Sequence, residues 1–306
     1  MPRLRLLLAT LFCCLTFLAA TEALADEKLR VFVTIAPQAF LAERLGGEAV
    51  EVHTLVGKGQ DPHTFEPSPR QAATLGRAHL FFTVGLPFEK QLVAKAAANN
   101  RNIKVSDSTI GITRLMMQEH HHDQDAAHHG HVRGEPDPHL WLAPANLTIM
   151  TKNMAAALTA ALPEHRETVR RSQQALLDEL AALDRQLAAS LAPHRGKTFY
   201  VFHPAFGYFA NAYGLTQEAV ETGGKSPSPK RLTALVRQAK VDGVKVIFVQ
   251  PQFDAKAAAT VAAGIGGAVV PIDPLAREVT ANLSSIAGAI DQAFRQQPAP
   301  GGTKGK

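Results

Sequence analysis

Residues Leu29–Val56 read LRVFVTIAPQAFLAERLGGEAVEVHTLV, and the two rhythms in this stretch decide the fold. Leu29–Ile35 is an apolar run of strand length, rich in β-branched residues and ended by Pro37. A helical pattern follows and stops at Gly46-Gly47, and Val50–Val56 is a second strand. Strand, helix, strand in this order is the unit of parallel α/β packing. The rhythm continues outward. Pro69–Arg77 reads as a short helix, Leu80–Val84 as a third strand, Leu86–Ala98 as a helix and Ile103–Val105 as a short strand.

The second half repeats the rhythm. Thr198–Phe202, Val244–Gln250 and Ala268–Ile272 are strands, while Leu232–Lys240, Ala255–Ala263 and Val279–Gln296 are helices. Between the halves, Asn146–Leu162 is helical, and Pro163 opens another helix running to about Ala192. In the latter, Leu176, Leu180, Leu183, Leu187 and Leu191 make one apolar stripe at helical spacing. The expected architecture is two Rossmann-like α/β lobes, 26–163 and 193–298, each a mostly parallel sheet with flanking helices. One long rigid helix, 164–192, joins them, and a frayed tail covers 299–306.

Composition agrees with a folded protein: of 306 residues, 46% are apolar and 19% charged. Arg3 and Arg5 precede the uncharged apolar run Leu6–Ala20, and Ala23-Leu24-Ala25 offers a small-x-small cleavage site. Residues 1–25 therefore read as a secretory signal peptide, placing the mature chain in the periplasm. Their removal takes the formal charge from +5 to +4, with no dense Lys/Arg patch of the kind nucleic acid requires. Both cysteines, Cys13 and Cys14, lie in this leader, so no disulfide is expected. Leu11-Phe12-Cys13 makes a poor lipobox for an anchor on Cys14, so none is expected.

The loop Gly57–Pro69 follows the second strand and carries His63 within Asp61-Pro62-His63. The same context returns at Asp137-Pro138-His139, and His203-Pro204 ends the strand at Thr198–Phe202. A single loop histidine is ordinarily a solvated polar residue, but a repeated, proline-stiffened context at strand ends points to convergence. Ligands gather at the carboxyl ends of parallel strands. Asp273, in Asp273-Pro274, also follows a strand, although an Asp-Pro pair is equally a turn former. His63, His139, His203 and Asp273 form a four-ligand set suited to Zn²⁺ and closed to water, which argues for binding without catalysis. The stretch 118–133 is unlike its surroundings. It holds His120, His121, His122, His128, His129 and His131 without apolar periodicity, and reads as a disordered surface loop with accessory affinity for transition metals. His53, His79, His165 and His194 read as ordinary surface or satisfied polar residues.

With these motifs in hand, the chain resembles the zinc/manganese-type solute-binding proteins of bacterial ABC transporters, the ZnuA and TroA type. The resemblance rests on Gly59–Pro67, Asp137–Trp141, Phe202–Phe206 and Ile272–Pro274, with the long helix and the His-rich insertion, and covers nearly all of the mature chain. It implies two lobes binding one metal ion in their cleft and handing it to a membrane permease, with a periplasmic metallochaperone as a second partner. A monomer is expected. Manganese-type members commonly carry Glu where this chain has His203, so zinc is expected over Mn²⁺. Some zinc-type members carry an acidic residue where this chain has Pro62, which favours Asp273 over a neighbour of His63 as fourth ligand. Two other readings compete. One is a secreted zinc hydrolase, for which Glu66 is the nearest general base and no His-Glu-x-x-His pattern exists. The other is a metal buffer without a transporter.

Overall fold

The computed structural model describes residues 27–117, 135–221 and 227–297. The leader, the His-rich stretch and the tail, with all six of the loop's histidines, lie outside these residues. The N-terminal lobe contains β1 (Leu29–Val33), α1 (Ala36–Gly46), β2 (Val50–Thr54), α2 (Pro69–Leu75), β3 (Leu80–Thr83), α3 (Glu89–Asn99) and β4 (Lys104–Asp107). Its strands form one sheet in the order β2-β1-β3-β4. After α4 (Pro144–Ala161) comes the 26-residue helix α5 (Arg166–Leu191), with single 3-10 turns at both ends. The C-terminal lobe adds β5 (Thr198–Val201), α6 (Gly207–Tyr213), β6 (Thr216–Ala219), α7 (Pro229–Val241), β7 (Val246–Val249), α8 (Lys256–Ile265), β8 (Ala268–Pro271) and α9 (Val279–Arg295). Its sheet order, β6-β5-β7-β8, repeats the first, and every pairing in both sheets is parallel.

Local chemistry explains the element ends. Ser68 caps α2 by accepting from the Gln71 amide, and the Gln71 side chain in turn accepts from the Ser68 N–H. Ser228 caps α7 by accepting from the Arg231 amide, and a proline opens both helices. β1 ends at Val33, but its ladder with β2 runs on: Leu55 N–H donates to Val33 O and Val56 N–H to Thr34 O. At the carboxyl edge of this sheet, Gln38 Oε1 accepts from the amides of Thr34 and Ile35, and its Nε2 donates to Thr83 O and Ser108 Oγ. Buried Glu89 accepts from the amides of Val84, Gly85 and Leu86. The edge from which the site loops depart is thereby fixed.

Two elements escape the sequence rhythm, α6 and β6. The strand reads Thr-Gln-Glu-Ala, four residues at the sheet edge with no apolar alternation. Its turn depends on Gly214, whose φ of 67° lies in the left-handed region that only glycine adopts freely. The five leucines of the α5 stripe are all buried. They join one hydrophobic cluster that runs through both lobes, while a second cluster around Tyr200, Val220, Leu235 and Val261 lies in the C-terminal lobe alone. Direct bonds cross between the lobes as well. Trp141 Nε1 donates to Pro274 O at 2.6 Å, and Arg277 pairs with Glu43.

Candidate metal centre

Three Asp-Pro turns build the site. Asp61 Oδ1 accepts from the His63 amide, Asp137 Oδ1 from the His139 amide, and Asp273 Oδ1 from the Leu275 amide, each at 2.9 Å. In each, the carboxylate bonds the backbone two residues on and proline fixes the residue between. The repeated context of His63 and His139 is thus a repeated turn, which aims the third side chain.

Two of these turns carry His63 and His139 of the N-terminal lobe, and they meet His203, which follows β5 in the C-terminal lobe. His63 Nε2 stands 3.2 Å from His139 Nε2, and His203 Nε2 stands 3.3 Å from the same atom. All three nitrogens lie within 4.8 Å of one another. These contacts are not ordinary hydrogen bonds. His139 Nδ1 faces Asp137 Oδ1 at 2.8 Å, and His203 Nδ1 faces Glu221 Oε1 at 2.7 Å. A carboxylate only accepts, so each Nδ1 carries the proton and each Nε2 presents a lone pair. Two lone pairs at 3.3 Å repel unless a cation lies between them. Zn–N bonds of about 2.0–2.1 Å at tetrahedral angles separate the nitrogens by roughly 3.3–3.4 Å, so the spacing fits zinc.

The walls reinforce the trio. Asp137, Glu221, His139 and His203 are buried. The Phe253 ring stacks on His203 with centroids 4.6 Å apart, and Trp141 meets His139 edge-on at 5.5 Å. The His203 amide donates to Gln250 Oε1, fixing the strand end. Burial lowers the His63 pKa, helped by the neighbouring His203, and burial likewise lowers that of His203 against the opposing pull of Glu221. Both effects favour the neutral imidazole that a metal requires. The cavity between the rings has a volume of about 10 Å³, room for one ion or water, and Gln252, Pro274 and Leu275 close its far side.

A family model described as zinc-uptake complex component A, periplasmic (ZnuA), matches residues 31–292. The chain belongs to the ZnuA family. Among curated relatives, the zinc-binding lipoprotein AdcA of Streptococcus pneumoniae serotype 4 is 30% identical over 283 residues, covering 90% of this chain and 56% of the relative. A putative metal-binding protein of Chlamydia muridarum is 27% identical, covering 94% and 99% of the two chains. The chain spans about half the length of the AdcA relatives it matches. Among solved structures, a crystal structure of ZnuA is 35% identical at a TM-score of 0.79, covering 87% of this chain and 99% of that one. A zinc-bound deletion mutant of ZnuA is 34% identical at the same TM-score, covering 89% and 100%.

Within this ZnuA-family chain, the remaining candidates fall as follows. Asp273 is not among the residues whose ligand atoms lie within 4.8 Å of one another. Its Oδ1 serves the Leu275 turn and also accepts from Gln252 Nε2 at 2.8 Å. Glu66 is exposed and outside the trio. His79 accepts from the Arg30 amide through Nδ1, His194 Nε2 pairs with Asp291 while its buried Nδ1 has no partner among the described residues, and His53 stacks on Phe32 and faces Glu51, so none of the three joins the trio. His165 precedes α5 at its first turn. Sequence reasoning missed Glu221 and Gln252. Glu221 follows β6, the strand without a sequence signature, and stands 18 residues beyond its histidine. Asp137 was visible as part of the turn motif, but its second contact, to the His139 ring, was not.

Proposed function

We propose that this chain is the zinc-binding, solute-binding component of an ABC transporter, working outside the cytoplasmic membrane as a monomer and delivering Zn²⁺ to a membrane permease. One observation carries the reading. Three Nε2 atoms from two lobes converge, His63 and His203 each at zinc spacing from His139, and the His139 and His203 rings are backed by buried carboxylates. Family membership and the zinc-binding relatives support it. His63, His139 and His203 are the ligands, and Asp273 completes the sphere with Oδ2, the oxygen that no turn or side chain engages among the described residues. Four protein ligands leave no position for an activated water, so the site carries its ion and catalyses nothing. Asp137 and Glu221 hold the ring tautomers that expose Nε2 and make the nitrogens more basic. Residues 1–25 act as a cleavable leader, and the six histidines of 118–133 supply an accessory metal tract, with a periplasmic metallochaperone as a further partner.

Metal analysis of the purified mature protein, followed by competition between zinc and manganese, tests this. One tightly held zinc per chain, not displaced by equal manganese, is the expected result. Preference for manganese, or no tight ion, would overturn it. The mass of the exported protein reports whether the leader is cleaved after Ala25 or a lipid is carried on Cys14.

A further inference from the structure

Gln252 is an amide in a wall otherwise made of aromatic, prolyl and leucyl side chains. It lines the metal cavity between His203 and the Pro274-Leu275 turn. Its orientation follows from chemistry. The Asp273 carboxylate can only accept, so the atom 2.8 Å from Asp273 Oδ1 must be the amide nitrogen, and the carbonyl oxygen turns away. That Oε1 is shielded from solvent and has no hydrogen-bond donor among the described residues. A buried acceptor without a donor costs stability, which an apolar side chain of the same shape would avoid. Among the described residues, the one polar contact of the Gln252 side chain is therefore that to Asp273. The neighbouring residue is equally committed, because Phe253 stacks on the His203 ring. Residues 252 and 253 thus touch both metal-site groups of the C-terminal lobe.

We propose that Gln252 is a positioning residue of the metal site. With Leu275 N–H it occupies Asp273 Oδ1 and leaves Oδ2 as the oxygen presented to the cargo ion. The inference rests on the proposed role of Asp273 as fourth ligand. A carboxylate with one oxygen held at two points has lost most of its rotational freedom before the ion arrives, and groups that orient a ligand commonly contribute 10–100-fold in affinity.

The test uses the mature protein with zinc and with cobalt, whose visible spectrum reports coordination geometry. Gln252→Leu is expected to weaken zinc binding by about 10–100-fold and to change the cobalt spectrum in the same direction as Asp273→Ala. Its metal-free melting temperature should match or exceed the parent's. Added to Asp273→Ala, Gln252→Leu should cost no further affinity. If Asp273→Ala weakens zinc while Gln252→Leu binds with parental affinity and spectrum, this inference fails and the four-ligand reading stands. If both single changes weaken zinc and their effects multiply, Gln252 acts on the ion itself and the positioning role is overturned. If Asp273→Ala is silent, the fourth-ligand reading fails first and this inference with it.

Discussion

At the residue scale, the carboxylates behind the histidines decide as much as the histidines do. Glu221 accepts the Nδ1 proton of His203 and so turns Nε2 into a lone pair. Glu221→Gln keeps the shape but replaces the anion with a neutral amide, and zinc affinity should fall by about 10–100-fold, measured by chelator competition. His203→Ala should abolish tight binding while the circular dichroism spectrum is kept. Retained affinity would remove the C-terminal lobe's histidine from the site. The pH dependence has a definite sign. His63 and His203 are both lowered by burial, so in the folded chain they stay unprotonated where an ordinary imidazole, near pH 6.5, begins to charge. Zinc affinity should therefore hold from pH 8 through about 6.5 and fall only at lower pH, where protons begin to compete for the lowered imidazoles. For the metal-free chain the unfolded state takes up these protons first, so stability declines from about pH 6.5 toward the lowered folded values. An affinity that stays flat down to pH of about 4 would contradict histidine ligation.

At the element scale, what was legible in the sequence was whatever carries its own period or punctuation. The α5 stripe announced itself through five leucines at spacings of three and four, and all five are buried. Leu180→Ala should cost about 2–5 kcal/mol by denaturant unfolding. Tight zinc binding should survive, because Leu180 does not line the metal cavity. The Asp-Pro-His turns were legible too, since the bond from Asp to the amide two residues on is a local one. The same motif is ambiguous at Asp273. A carboxylate that builds a turn and one that binds a metal look alike in sequence, and only its two hydrogen bonds distinguish the engaged oxygen from the free one. β6 was not legible because an edge strand of four residues needs no apolar alternation. With it went Glu221, whose partnership with His203 is made across 18 residues by tertiary structure alone. Gln252 was invisible for a related reason, because an amide next to a proline in a loop carries no signal until its partner is known.

At the scale of the whole molecule, an ion ligated from two lobes would couple binding to the stability of their arrangement. Zinc present at 1,000 times its Kd should stabilise the fold by about 4 kcal/mol, read as a rise in melting temperature that EDTA reverses. Deleting residues 118–133 should leave one tight site and remove weaker ones, seen as a change in stoichiometry by calorimetric titration. Loss of the tight site on deletion would show that the ligand set is incomplete. The bonds that cross the lobes lie beside the histidine trio: Tyr208 accepts the Leu115 amide and donates to O of Asp137, whose carboxylate holds the His139 ring. The Trp141 indole bridges to Pro274, one residue past Asp273. It is the only tryptophan in the sequence, it is buried, and it touches a ligand ring. The chain therefore contains its own optical gauge. Every photon emitted by indole comes from one position, at the junction of the lobes and against the metal cavity, so emission at a single wavelength can follow loading and release in real time without dye or label.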